Sequence, residues 1–486
     1  MENKAYKNIA FSGAIWLFLE RWGVQGVTLL VSIVLARLLD PEAYGTVALV
    51  TSITSLLYVF IDGGMGTALV QKKDADDIDA SSLFYVNILM CLIIYMGMYF
   101  FAPVIADFYD NNQLISLVRV CSLSIIFSAF RTVQQSMALK QYKFRTFFLS
   151  TLGGTVISAV IGIFFAIKGF GVWALVAQNL SNNFIGVIVF WFTVKWRPKL
   201  VFSFSKIKGL FSFGWKILFS NLFEQAYMEI RSLIIGKIYS AKDLAYYNKG
   251  IGWPNLIMTS VVGIIDRVLF PIMAAEQDDK ERIIGMLKRS IKTSTYIMAP
   301  LLLGIAACSE QLVSIVLTDK WLPCVPFMRA FCIGYIFYPI CNANLNVLKA
   351  LGKGDLFLKA NVINKVLSVI LLVVAASISV KAMVYSYVLS LIITAIINSS
   401  FCKKFLSYGF LKQLKVISPI LILSVVMCGL VYAVKFIGLT TPITLIVQIA
   451  VGIAVYIAGS LIFKIDTFNY LFTLIFSKLR KNKKAL

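Results

Sequence analysis

No histidine occurs anywhere in this chain of 486 residues, and acids are half as frequent as bases, 23 Asp and Glu against 46 Lys and Arg. Without imidazole, the common zinc and haem sites and histidine-based proton transfer are excluded. Eight cysteines are present but none forms a CxxC pair, which excludes the usual thiolate metal and redox motifs. There is no phosphate-cradling glycine loop and no arrangement that reads as a hydrolase triad. No cofactor or metal site is expected. Charge is also scarce, 14% of residues, and no stretch between apolar runs is long enough for a folded soluble domain.

What remains is apolar. Hydrophobic residues make up 59% of the chain and the mean hydropathy is +0.84, more apolar surface than a soluble core of this length could hide. Runs long enough to cross a hydrocarbon core number about fourteen, the first near 10–37 and the last near 444–463. The opening residues lead straight into the first run without a small-residue cleavage site, so that run reads as a retained span. The N-terminus, every second loop and the tail hold roughly 29 Lys and Arg against about seven in the alternate loops. Both termini are therefore expected in the cytoplasm. The net charge of +23 follows from this bias and from attraction to anionic lipid, with no case for nucleic acid.

The chain repeats itself around a basic stretch, KWRPKLVFSFSKIKGLFS, which mixes five bases with aromatic and aliphatic residues over 195–212. That mix suits a segment in the headgroup layer. At an offset of 200, SIVLARLLDPEAYGTVA (from Ser32) lies over SLIIGKIYSAKDLAYYN (from Ser232); from the fourth span the offset becomes 210, bringing Lys143 onto Lys353. The expected architecture is an all-α integral membrane protein. It comprises a six-helix lobe (1–194), a basic amphipathic interfacial linker (195–212) and a second six-helix lobe (213–405). Two additional helices and a basic tail follow (406–486). An even number of spans per half implies a pseudo-twofold axis along the membrane normal.

Ionisable and amide groups inside spans are the informative minority, because lipid burial of each costs several kcal/mol. Candidates for a polar substrate cavity between the lobes are Glu20, Arg21, Gln25, Asp62, Arg131, Glu224, Arg231, Arg267 and Lys365. The arginines suit an anionic substrate such as a diphosphate, and Asp62, Glu20 and Glu224 are the carboxylates available for proton coupling. Glu20–Arg21 and Asp266–Arg267 could equally be neighbours that neutralise each other. Gly63, Gly64 and Gly66 form a candidate hinge after the second span, or serve close helix packing. The acidic run Asp74-Ala75-Asp76-Asp77-Ile78-Asp79 superficially matches the D-x-D of metal-dependent glycosyltransferases but reads better as a turn capping the next helix.

The stretches LARLLDPEAYGTVAL (35–49), DGGMGTALVQKK (62–73), KWLPCVPFMRA (320–330) and ALGKGDLFLKANVI (350–363) resemble the polysaccharide exporters. Within the multidrug/oligosaccharidyl-lipid/polysaccharide superfamily, the likeness is greatest to Wzx-type flippases for O-antigen, colanic acid and teichuronic acid. It runs from about residue 5 to about residue 405. The resemblance implies two six-helix bundles around a cavity and alternating access in a bacterial plasma (inner) membrane. The cargo it implies is an undecaprenyl-diphosphate-linked oligosaccharide. Membrane lipids, H+ or Na+ as coupling ion and a polysaccharide polymerase or ligase are the implied partners. A cation-coupled multidrug antiporter of the same superfamily and a membrane polymerase or ligase are the alternative readings.

Overall fold

The computed structural model describes residues 23–62, 64–72 and 74–468, and among them every regular element is helical. In chain order these are α1 (Gly23–Leu38), α2 (Pro41–Asp62), α3 (Met65–Gln71), α4 (Asp77–Phe108), α5 (Gln113–Cys121), α6 (Leu123–Lys140), α7 (Phe144–Ile167), α8 (Val172–Thr193) and α9 (Phe204–Ile238). There follow α10 (Ala241–Ala275), α11 (Lys280–Val316), a 3-10 turn, α12 (Val325–Tyr335), α13 (Tyr338–Ala350), α14 (Gly354–Ala376), α15 (Val380–Leu406), α16 (Phe410–Ala433) and α17 (Thr441–Ile462). Eleven spans among the described residues are long and apolar enough to cross a membrane, and twelve if the pair bent by 41° at Ile336–Phe337 is one span. The sequence reading expects about fourteen. Of the expected spans outside this set, the first is described only from Gly23, and the seventh, α9, carries Lys206, Lys208, Lys216, Glu224, Glu229, Arg231 and Lys237.

The helices begin where side chains can satisfy their free N–H groups. Asp76 and Asp79 form a reciprocal capping box on α4, with Asp79 N donating to Asp76 Oδ1 at 2.8 Å and Asp76 N to Asp79 Oδ2 at 3.1 Å. Asp279 accepts from the amides of Glu281 and Arg282 at the start of α11, and Ser379 from that of Ala382 at the start of α15. The acidic run is thus a helix cap, and it is also an anchor. Asp79 is fully buried and accepts from Lys72 Nζ at 2.7 Å on both oxygens, while Lys206 Nζ reaches Asp76 at 3.0 Å. The Asp79 amide, reinforced by Lys206, holds the Asp76 carboxyl well below the usual range.

Contacts divide the chain into two compact units, residues 1–245 and 246–486. In the first, the basic stretch is two things in succession. Residues 194–203 form no regular element and bend at Leu200, and α9 has begun by Phe204. Ser81 and Ser82 of α4 accept from the amides of Lys199 and Ser203, and Gln134 Nε2 donates to Trp196 O at 3.1 Å. Trp196, Ile207 and Leu210 are buried with Met65, Leu69, Phe84 and Phe190 in the unit's own core. Only part of the stretch presents apolar side chains outward, with Leu200 95% exposed.

In the second unit, a core centred on Ile283, Leu287, Ile340, Val347, Cys402 and Ile417 joins α11, α13, α15 and α16. Its polar seams are amide pairs. Asn344 and Gln413, both fully buried, exchange hydrogen bonds of 2.8 and 3.0 Å.

The internal repeat is visible in the backbone. The turn Leu39–Asp40 between α1 and α2 has its counterpart 200 residues on, in Tyr239–Ser240 between α9 and α10. At the offset of 210, Lys143 (φ −83°, ψ 60°) matches Lys353 (φ −84°, ψ 58°), and each amide closes the same turn, onto Ala138 O and Leu348 O. The residue before each is left-handed. In the second unit it is Gly352 (φ 66°), in the first Tyr142 (φ 54°). A side chain in that region costs about 1 kcal/mol. Tyr142→Gly is therefore expected to raise stability by about 1 kcal/mol, read as an increased midpoint of thermal unfolding in detergent. An unchanged or lower midpoint would mean that the Tyr142 ring, which lies tilted beside Phe144, contributes as much as its backbone costs.

Candidate functional site

In the first unit the polar residues gather on α9 and the elements against it. Lys216 and Glu224 are exposed, Gln225 Nε2 donates to Glu229 Oε1 at 3.0 Å, and Arg231 is 4% exposed with its guanidinium 5.4 Å from the Tyr227 ring. A guanidinium over an aromatic face keeps its charge while shedding water more cheaply than an ammonium could. Glu224 and Arg231 share a helical face by spacing, but the structure gives them different surroundings, one exposed and one buried. Arg131 on α6 is half-buried, and its Nη1 lies 3.3 Å from where a Cβ on Gly186 of α8 would stand. Gln25 on α1 is half-buried with its Oε1 unsatisfied among the described residues.

The packing of α9 depends on glycine. A Cβ on Gly45 would lie 1.6 Å from Ala241 O, one on Gly236 2.1 Å from Leu49 Cδ1, and one on Gly64 2.3 Å from Gly214 O. At Gly45 and Gly64 the near atoms are backbone and only a hydrogen fits, so α2 closely approaches the start of α10 and the start of α3 closely approaches α9; at Gly236 the near atom is the tip of the Leu49 side chain. Gly64 adds a second constraint, its left-handed φ of 67° at the interruption between α2 and α3. Gly66 is buried in the first turn of α3. Asp62 closes α2, its side chain lying outside the described part, and Glu20, Arg21 and Gly63 lie outside the described residues altogether. On α4, Asn87 is fully buried and neither amide atom has a hydrogen-bond partner among the described residues. It sits one turn from Phe84 and from Cys91, which share apolar clusters with Met65 and Ile61, the two sides of the interruption.

In the second unit the centre is Asp266 on α10. Asn342 Nδ2 donates to its two oxygens at 2.8 and 2.7 Å, and Asn346 Nδ2 to Oδ1 at 2.8 Å. Arg267 is exposed, and no ion pair joins it to Asp266, so mutual neutralisation of these neighbours does not describe the site. The carboxylate is half-buried in a span and, among the described residues, is held by amide donors and by no cation. Lys365 on α14 is half-buried, next to Asn364, whose Nδ2 donates to Asn398 Oδ1 at 2.8 Å; Asn398 in turn donates to Cys341 O at 3.0 Å.

The sequence reading passed over Asn342 and Asn346. Their signal is CNANLN, three amides at alternate positions inside an apolar run. Residues 342 and 346 are one turn apart and share a face, while Asn344 points the other way, to Gln413.

Comparison with known proteins places this geometry. The family model described as "Polysaccharide biosynthesis protein" matches residues 34–326. The chain is 30% identical over 308 residues to the teichuronic acid biosynthesis protein TuaB of Bacillus subtilis, covering 62% of this chain and 63% of TuaB. It is 24% identical over 370 residues to the lipopolysaccharide biosynthesis protein WzxC of Escherichia coli, covering 75% of this chain and 74% of that protein. Among solved structures, the lipid II flippase MurJ in an inward closed conformation superposes over 94% of this chain and all of that one, with a TM-score of 0.74 at 17% identity. An inward-facing multidrug transporter of the MATE family matches with a TM-score of 0.62 at 14% identity, over 78% of this chain and 94% of that one. The structures establish the all-α fold, and the family match covers more than half the sequence: the chain belongs to the family of polysaccharide biosynthesis proteins.

Proposed function

We propose that this protein is a flippase that moves an undecaprenyl-diphosphate-linked oligosaccharide across a bacterial plasma membrane by alternating access. The observation that carries the reading is the match of residues 34–326 to the family of polysaccharide biosynthesis proteins. The membrane-embedded bases support it. Arg231 is buried over Tyr227 and Arg131 is half-buried beside Gly186, a setting suited to an anionic group and unsuited to a cationic drug. The task requires no bond chemistry. A polar sugar-diphosphate must be shielded from hydrocarbon while the prenyl chain stays in it, and the protein must pass between two packings that differ by a few kcal/mol.

The inner-leaflet start, the cytoplasmic termini and the handing of cargo to a polymerase or ligase belong to the same proposal and rest on the lysine and arginine bias. Coupling to H+ or Na+ would need a carboxylate in a span. Asp266 fits that role better than Glu224, because it is half-buried and held by the amides of Asn342 and Asn346 while Glu224 is exposed.

The test is export in a bacterium deleted for its own flippase, comparing surface polymer with lipid-linked oligosaccharide retained inside. Restored polymer with the intermediate cleared is expected. Retained intermediate at normal protein levels, for every repeat unit offered, together with resistance to cationic drugs, would replace the proposal by the antiporter reading. In the same assay Arg231→Ala is expected to lower export by roughly a hundredfold, with normal insertion, because a buried charge-assisted contact is worth about 3 kcal/mol. Full export by that variant would remove Arg231 from the substrate path.

A further inference from the structure

Where α15 hands over to α16, on a lysine-rich side of the membrane, a cavity of about 420 Å³ opens between these helices and α11. One wall is apolar, formed by Ile284, Leu406 and Val416. The other carries three ammonium groups, on Lys288, Lys412 and Lys415. None of the three is in an ion pair among the described residues. Lys412 Nζ donates to Ser407 O at 3.0 Å and Lys288 lies 5.3 Å from the Tyr408 ring. Three like charges around a pocket repel one another, and no carboxylate is among the described residues that line it.

The rim is built, not loose. Ser407 ends α15 in a left-handed turn at φ 54°, and the fully buried Gln413 donates to Tyr408 O at 3.1 Å while pairing with Asn344. Tyr408 is 5% exposed, lines the cavity, and its hydroxyl has no hydrogen-bond partner among the described residues. Burial pushes that hydroxyl up to about 12, so it remains a donor at neutral pH. A buried donor with no protein partner is left to be met by water, an ion or a ligand. Leu411, in the first turn of α16, is 78% exposed, as expected of a helix end lying at the boundary of lipid with lysines beside it.

We infer that this cavity is a binding site for the phosphate headgroup of an anionic membrane phospholipid, with Lys288, Lys412 and Lys415 around the phosphate, Tyr408 as hydroxyl donor, and Ile284, Leu406 and Val416 against the glycerol and upper acyl chain. The apolar wall favours a lipid over a free anion, since a soluble phosphate would gain nothing from it. Because the site joins α11 to the first of the two additional helices, its occupant would fasten that helix to the second unit. The inference does not depend on which cargo the protein moves.

The test uses the full-length protein in neutral detergent, with lipid adducts counted by native mass spectrometry during titration with phosphatidylglycerol, cardiolipin and phosphatidylcholine. The anionic lipids are expected to bind well ahead of phosphatidylcholine. The selectivity should fall by roughly a hundredfold in K288Q/K412Q/K415Q, be kept in K288R/K412R/K415R, and fall about tenfold in Tyr408→Phe. Equal binding of charged and zwitterionic lipids overturns the site, as does unchanged selectivity in K288Q/K412Q/K415Q. If that variant does not fold, Tyr408→Phe decides alone, and no loss there overturns it. Displacement of phosphatidylglycerol by inorganic pyrophosphate would assign the lysines to a soluble anion, and displacement by undecaprenyl phosphate to the cargo; either result overturns the phospholipid assignment.

Discussion

Gly64→Val is expected to abolish export and to lower stability by about 3 kcal/mol or more, the largest loss expected of any single substitution considered. Two independent costs meet at this residue. Its φ of 67° is disfavoured for any L side chain and worst for a branched one. Its Cβ would stand 2.3 Å from Gly214 O and 2.8 Å from Ile217 Cβ, distances at which α3 or α9 must move. The neighbouring atoms include backbone, so no rotamer change relieves the contact. Gly64→Ala should show most of the effect, since the clash is with Cβ itself. Gly97→Ala on α4, where a Cβ would meet nothing within 4 Å, should show none. Thermal midpoint in detergent and surface polymer in the deletion strain are the two readouts. If Gly64→Ala keeps both, the α3–α9 approach is free to open, and the packing role gives way to a hinge that tolerates a methyl group. Loss of export with an unchanged midpoint would instead place the requirement in motion.

Asp266 carries the second large effect, and here charge and shape separate. Asp266→Ala leaves the Asn342 and Asn346 amides without acceptors inside a span, which costs about 2–3 kcal/mol. Asp266→Asn keeps the shape and one acceptor oxygen, so its stability should stay within about 1 kcal/mol of the native protein. Export by Asp266→Asn is nevertheless expected to fall to background, because a neutral amide can neither take up a proton nor attract a cation. Lipid-linked intermediate should accumulate in those cells. Export by Asp266→Asn at the native level would show that this carboxylate only ties α10 to α13, and would return the coupling role to another acid.

Both predictions rest on residues that the sequence reading valued differently. It singled out Gly64 for local reasons, three glycines in DGGMG, and the left-handed φ agrees with that residue type. It could not see Gly214, which lies far along the chain. For Asp266 it offered a neighbouring arginine as one of two alternatives, since adjacency is what a sequence displays; on a helix, adjacent residues point about 100° apart, and the hydrogen-bond partners come from α13. Trp196 shows the same limit. Among five bases it reads as a ring in the headgroup layer, yet it is buried with Phe84 and Phe190, where Asp76, Asp77 and Asp79 at the start of α4 receive Lys199 and Lys206 and draw the stretch onto the unit.

The sequence alone determined the class, an all-helical membrane protein. Length of apolar run and scarcity of charge are properties of each segment by itself, and backbone groups in lipid must be satisfied within the helix. It also determined the caps at Asp76, Asp279 and Ser379, which act over three residues, and the internal repeat, which the matched backbone of Lys143 and Lys353 makes concrete. Tertiary structure decided which polar groups inside the spans are held and by what. Asp266 with two asparagines, Arg231 over Tyr227, Gly64 against Gly214 O and the orphaned hydroxyl of Tyr408 all depend on which helix faces which. That choice is a property of the whole packing, and no window along the chain contains it.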